Sequence, residues 1–295
     1  MKPIKAIVLL VAFLLPLTSQ AAMLQWPVEF DEPWTHISST FGPRLKASDD
    51  YNYEFHTGLD IAGDTTDAVV AAADGEVFRI YQEGDEDSDY PNGGNVVILK
   101  HHTDSAIRFH KHNYHVYYTL YLHLDSINSA LAEGDAVSAG DELGLIGQSG
   151  TTEFDHLHFE VRVNSTCSLS SDCNTTGFEP HVHPLRFLDY PEQAEVTLSR
   201  LVFQDDFLLT IWSKHREVDI NKIVVNNRTI NFSTRRGAVR QTNSWHSLQP
   251  GKFSTRSRKY ALTIWYHHML QSTKPIHVQV YDVHNHIVAD QQWSN

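Results

Sequence analysis

The stretch "AEGDAVSAGDELGLIGQSG", residues 132–150, sets Gly134, Gly140, Gly144, Gly147 and Gly150 too close together for a helix to survive. The same punctuation runs through the whole chain. Turn residues recur often, and the runs between them are short and rich in β-branched and aromatic residues, as in "GNVVILKHH", "HVYYTLYLHL" and "HLHFEVRVN". "DAVVAAADGEVFRIYQ" puts Asp74-Gly75 between two strand candidates and so predicts a hairpin. The single modest helix candidate is "LDSINSALAEG", worth one or two turns. The expected class is all-β, and an apolar content of 41% supplies an ordinary core for it.

The strands fall into two groups. Pro184 and Pro191 bracket a boundary in "HPLRFLDYPEQAEV". Beyond it come "EVTLSRLVFQ", "FLLTIWSK", "KIVVNNRTINF", "KYALTIWYHHML" and "PIHVQVYDVHNHIVAD", with turn-like Asn-Asn and Asn-His pairs. About a hundred residues of short, regularly spaced strands suggest a small Ig-like β-sandwich. The expected domains are residues 22–190 and 191–295.

Residues 1–21 read as a signal peptide. Lys2 and Lys5 form a positive start, Ala6 to Leu17 an apolar run too short to span a bilayer comfortably, and Ser19-Gln20-Ala21 a cleavage site. The mature chain then begins at Ala22, with no cysteine there for a lipid anchor, and is expected in the periplasm or outside the cell. Cys167 and Cys173, in "CSLSSDC", are the only cysteines and are expected to form one disulfide. A loop so short gains roughly 2 kcal/mol by the chain-entropy estimate. Loss of Lys2 and Lys5 moves the net charge from -13 to about -15. That balance argues against nucleic acid and anionic membrane surfaces as partners. Its local extreme, "EGDEDSD" at Glu83 to Asp89, lacks EF-hand spacing and reads as a solvated acidic loop.

Nineteen histidines are present, so partners at useful spacing must select among them. "FHTGLDIAG" holds His56 four residues before Asp60, with Gly58 between them to allow a tight turn. In "HLHFEVRVN" a strand period of two sends His156, His158, Glu160 and Arg162 to one face and Leu157, Phe159, Val161 and Val163 to the other. Leu-Phe-Val-Val is a core face by composition, which leaves two imidazoles side by side on the polar one. His123 ends "YYTLYLHL", where Tyr117, Thr119 and Tyr121 share its face. Three His/Asp ligands with one open position is how catalytic zinc is held. His56, Asp60 and one histidine of the pair meet that count. The histidines left over serve as base or oxyanion partner.

The series "STFGPRL", "FHTGLDIAG", "VVAAADGEV", "GGNVVILKH", "LYLHLDSI", "GDAVSAGDELGLIGQSG" and "HLHFEVR" resembles the lysostaphin/LytM-type zinc endopeptidases of bacterial cell walls, in order, over roughly residues 36 to 190. The final "HVHPLRFL" resembles their closing segment. The resemblance implies an antiparallel β-sheet groove walled by loops, the duplicated hybrid motif fold. It implies one Zn2+ per chain held by His56, Asp60 and His158, with His123 and His156 as the catalytic pair. It further implies hydrolysis of peptidoglycan cross-bridges or stem peptides by a metal-activated water.

Three longer segments depart from the family pattern: "FRIYQEGDEDSDYPNGGN", "HHTDSAIRFHKHNYHVYYT" and "NSTCSLSSDCNTTGFEP". If they wall the groove, substrate preference transfers poorly. His181 and His183 form a second His-x-His followed directly by proline, where the family has no ligand, and they are left out of the site. Glu160 reads equally well as a partner that orients a ligand histidine and as a salt bridge to Arg162. The alternatives to an endopeptidase are a non-catalytic groove protein that regulates a cell-wall amidase and a secreted bacteriolytic protease. Family regulators typically lack some metal ligands, and all five positions are intact in this chain. The expected molecule is a monomer that acts on peptidoglycan, with its C-terminal domain open to a regulatory protein partner.

Overall fold

The computed structural model describes residues 23–46, 52–109, 112–163, 181–190, 196–213, 220–231, 246–248, 252–254, 259–267 and 275–294. The signal peptide and both cysteines lie outside the described residues. Among the described residues the regular elements are strands and two short 3-10 turns, Pro33–His36 and Pro184–Arg186. The strands pair antiparallel throughout, so the all-β expectation holds.

An eight-stranded sheet organises the first part of the chain. Its order runs Ile37–Ser39, Leu59–Ala62, His156–Val163, His112–Leu124, Asn95–Phe109, Gly75–Tyr81 and Ala136–Val137, and His181–Val182 pairs with His156–Val163 off that path. Strand alternation divides its residues between two apolar clusters. Val97, Leu99, Tyr117, Tyr121, Leu157, Phe159 and Val161 enter the larger one, while Val96, Ile98, Tyr118, Leu120 and Leu122 form a smaller one on the other face. Both faces are therefore covered. His156–Val163 is buried along its whole length, polar side included.

Two sequence expectations fail here for definable reasons. Asp74-Gly75 does not close a hairpin. Ala68–Val70 pairs with Glu142–Leu145 in a separate three-stranded sheet, while Gly75–Tyr81 pairs with Asn95–Phe109 and Ala136–Val137. The chain changes sheet at that turn. "LDSINSALAEG" forms no α-helix: Ser126–Ile127 joins the small sheet, and Asn128 then turns the chain through Ala130 N donating to its Oδ1 at 3.1 Å.

Beyond residue 195 the chain builds two further sheets. One has the order Val196–Phe203, Asp206–Ser213, Lys259–Tyr266 and His246–Leu248, with Lys252–Ser254 also on Lys259–Tyr266. The other runs Arg228–Asn231, Lys222–Val225, Ile276–Tyr281 and Ile287–Trp293. Phe207, Leu209, Ile211, Ile223, Ile264, Val278 and Val280 from both sheets share one buried cluster, the core of a sandwich. Asn226, at φ 53°, turns the hairpin between Lys222–Val225 and Arg228–Asn231. Val283, at the turn after Ile276–Tyr281, is buried in the cluster of the first part rather than its own.

Candidate metal centre

Register builds the site. His158 lies opposite Asp60 on the neighbouring strand Leu59–Ala62, so both side chains leave the sheet on the same face. His56 ends the strand Asn52–His56 and returns to that face through the turn at Thr57-Gly58. Gly58 is needed there: a Cβ on it would sit 2.6 Å from the Phe159 carbonyl oxygen and 2.7 Å from His158 Nε2. His56 Nε2, His158 Nδ1 and Asp60 Oδ1 then close a triangle with edges of 3.0, 3.1 and 2.8 Å. Among the described residues these three form the group able to hold a metal ion.

The second nitrogen of each imidazole decides what the triangle is for. His56 Nδ1–H donates to the Thr40 carbonyl at 2.8 Å, with Ser39 Oγ at 3.2 Å. His158 Nε2–H donates to Glu160 Oε1 at 3.1 Å, and that oxygen also accepts from Thr57 Oγ1 at 2.7 Å. With those protons placed outward, the inward nitrogens of the neutral rings present lone pairs to each other and to a carboxylate oxygen. Three acceptors facing one point call for a cation. A four-coordinate ion with bonds of about 2.1 Å needs donors roughly 3.4 Å apart, only a few tenths of an ångström wider than this triangle. Two imidazoles and one carboxylate also suit zinc chemically, and oriented outer hydrogen bonds are the usual support of such ligands.

The charges around the triangle show how strongly it draws a cation. Burial acts to lower the His158 pKa, but Asp60 and Glu160 on either side outweigh it and push the metal-free ring up to about 9. Without a metal, a proton on Nδ1 thus occupies the inward position, and a bound ion would displace it. Burial acts to raise Asp60, yet His56 and His158 hold it well below the usual carboxylate range. Glu160, also buried, is held low by Arg162, His181 and His158. Arg162 Nε donates to Glu160 Oε2 at 2.6 Å and its NH1 to Tyr90 OH at 2.7 Å, so the pair is fixed from the far side as well.

His156 and His123 flank the triangle. His156 Nε2 stands 3.6 Å from Asp60 Oδ1, while its Nδ1–H donates to the Phe154 carbonyl at 2.8 Å. His123 Nδ1–H donates to the Ser149 carbonyl at 2.9 Å. Its ring centroid is 5.0 Å from that of His156 and 6.0 Å from that of His158. Burial, reinforced by His158 and His156, pushes His123 down to about 4, so it is neutral at pH 7.

His123 corrects one sequence expectation. Tyr117, Thr119 and Tyr121 face the main core, where regular alternation would also send His123. Instead the register with Asn95–Phe109 shifts between Asn95 and Val97, and His123 adopts φ 65°. That bulge turns the imidazole onto the metal face, at a backbone cost of about 1 kcal/mol for a non-glycine residue. The structure thus gathers Asp60, His123, His156 and His158 on one face of the eight-stranded sheet, with His56 reaching the same point from the end of a separate two-stranded sheet formed by Gly42–Lys46 and Asn52–His56. Sequence reasoning missed Thr40, Phe154 and Ser149, which hold histidines through backbone carbonyls that every residue type possesses. It also missed Tyr90, within one of the longer segments.

The acidic segment has a structural use. Glu83 Oε1 accepts from Gly150 N at 2.8 Å, Asp85 Oδ2 from Gln82 N at 2.7 Å, and Asp89 Oδ2 from Tyr81 OH at 3.1 Å. It is a capped loop tied to the segment that carries the Ser149 carbonyl.

Residues 54–168 match the profile of peptidase family M23. Among curated proteins, the chain is 30% identical over 191 residues to the peptidoglycan DD-endopeptidase ShyB of Vibrio cholerae, covering 61% of this chain and 39% of that protein. It is 32% identical over 138 residues to the murein hydrolase activator NlpD of Escherichia coli, covering 47% and 27%. Among solved structures, a zinc-containing peptidase from Vibrio cholerae is 30% identical, with a TM-score of 0.33 over 43% of this chain and 33% of that one. The chain thus spans well under half the length of these relatives. Residues 54–168 are a peptidase family M23 domain, homologous to the lysostaphin- and LytM-type peptidases.

Proposed function

We propose that this chain is an exported zinc metalloendopeptidase that hydrolyses peptide bonds in peptidoglycan cross-bridges or stem peptides. The convergence of three lone pairs, from His56, Asp60 and His158, carries the reading. Residues 1–21 direct export, and one zinc ion per chain is held by the trio. Bound there, the ion supplies Lewis-acid chemistry, polarising a peptide carbonyl and making water acidic enough to attack at neutral pH.

The remaining work falls to the flanking histidines. His156 and His123 each hold a proton on Nδ1 against a carbonyl, which leaves Nε2 as the basic atom. One Nε2 takes the proton from the attacking water, and the protonated ring then delivers it to the leaving nitrogen. His123, neutral at pH 7, is able to take that proton on Nε2. The fixed carbonyl partners keep both rings from turning, so no reorientation cost is added during reaction.

A second reading has one observation in its favour, the similarity to a murein hydrolase activator. The two are separated by incubating the zinc-loaded protein with cross-linked muropeptides and reading products by mass spectrometry. Cleaved cross-links support the endopeptidase. Intact muropeptides at full zinc occupancy overturn it in favour of the activator.

A further inference from the structure

Among the described residues 23–190, Phe154 is the one large apolar side chain left substantially in water, 48% exposed. It stands two residues before His156, with ring centroids 5.0 Å apart and planes tilted by 40°. The residue has two separable parts. Its carbonyl accepts His156 Nδ1–H at 2.8 Å, and Thr152 Oγ1 supports the same turn at 3.3 Å from that carbonyl and 3.3 Å from His156 Nδ1. Any residue at 154 keeps that carbonyl. The ring is a different matter: with half its surface in water it adds little to folding, and it leans on the histidine whose Nε2 faces Asp60.

An exposed ring at the edge of a reaction centre offers a flat apolar contact to whatever His156 acts upon. A group that reaches His156 brings with it the residues on either side of the bond being cut. We infer that Phe154 is a specificity-determining residue whose ring takes the methyl or methylene of the residue adjoining the scissile bond. This rests on the endopeptidase reading above. Its ligand is an apolar peptide side chain, alanine-sized or larger, and glycine at that place forgoes the contact.

The test uses the zinc-loaded full chain and two synthetic cross-linked stem peptides, with alanine or glycine beside the bond cut. For the wild type, kcat/KM on the alanine peptide should exceed that on the glycine peptide by about tenfold, the low end of what one methyl group is worth to an apolar contact. Phe154→Ala should bring that ratio near one by raising KM for the alanine peptide, with zinc content and circular dichroism unchanged. Phe154→Tyr should keep the preference. Equal wild-type rates on the two peptides, or an undiminished ratio in Phe154→Ala, overturn this inference alone. A fall in kcat on both peptides by the same factor also overturns it, because the ring then serves only to pack His156. Failure of the zinc-loaded wild type to cut either peptide overturns the endopeptidase reading and this inference with it.

Discussion

Two of the chain's four His-x-His motifs, His156-Leu157-His158 and His181-Val182-His183, lie on neighbouring strands, with Arg162 opposite His181. All four histidines are buried. Their spacing is identical, yet their partners differ. His158 faces an aspartate across the ladder and a glutamate two residues along its own strand. His183 accepts from Leu185 N at 3.3 Å, caps the Pro184–Arg186 turn and packs on Phe41 at 5.0 Å between ring centroids. His181 Nε2 approaches Glu160 Oε2 at 3.6 Å. Spacing alone does not make a metal site. What makes one is an acceptor behind each ring and an anion in front.

The sharpest way to break this comparison is to remove one histidine from each motif. His158→Ala should lose both zinc and activity, whereas His183→Ala should keep one zinc per chain and lose about 1 kcal/mol of stability with its cap. Metal analysis of the purified variants decides the matter. Full occupancy in the His158 variant would remove that residue from the ligand set.

Within the first motif the two histidines should separate as well. His156→Ala and His123→Ala should retain zinc and lose on the order of a hundredfold or more in kcat. Zinc loss in either variant would mean that it ligates, and the division of labour proposed for the pair would fall.

How much of this was legible in the sequence follows from the same contrast. The alternation of "HLHFEVRVN" placed its polar and apolar faces correctly, because strand period is a local property. His56 and Asp60 could be paired because four residues and a glycine separate them. The bulge at His123 could not be foreseen, since it depends on register with a distant strand. Nor could the carbonyls of Thr40, Phe154 and Ser149, which no side-chain pattern advertises. Asp74-Gly75 misled because the turn is real while the strands it joins belong to different sheets. The burial of both faces of His156–Val163 was hidden as well, because cover on the polar side comes from Tyr90, which is distant in sequence, and from the cluster it packs against.

Glu160 links the two motifs, and its substitution gives the next smaller effect. Glu160→Gln removes the charge behind His158 and should weaken zinc binding by about 10- to 100-fold in competition against a chelator. It also strands Arg162, so unfolding should come roughly 3–5 kcal/mol earlier. Wild-type zinc affinity in a variant with that stability loss would reduce Glu160 to a salt-bridge partner of Arg162.

His101 supplies the smallest effect and the cleanest control, as a buried histidine whose two hydrogen-bond partners are a backbone carbonyl and a hydroxyl, with the Asp74 charge acting on it only weakly against burial. Its Nδ1–H donates to the Asp74 carbonyl at 2.8 Å, and its Nε2 accepts from Thr119 Oγ1 at 2.7 Å. Burial drives its pKa down to about 4, against a backbone hydrogen bond that acts to raise it, the reverse of the outcome at His158. Because the folded value lies below the unfolded value of about 6.5, the stabilising contribution is complete above pH 6.5 and is lost as pH falls toward 4. Between pH 7.5 and pH 5 that loss is about 2 kcal/mol by linkage. Urea unfolding of the wild type and His101→Gln at the two pH values isolates it: the difference between the proteins should shrink by that amount at pH 5. In metal-free protein the sign at His158 is opposite, with stability present below about pH 6.5 and lost as pH rises through about 9. A His101→Gln difference that is flat between pH 7.5 and pH 5 would mean that this ring is protonated inside the fold. The charge of its partners would then not be what distinguishes it from the histidine at the metal.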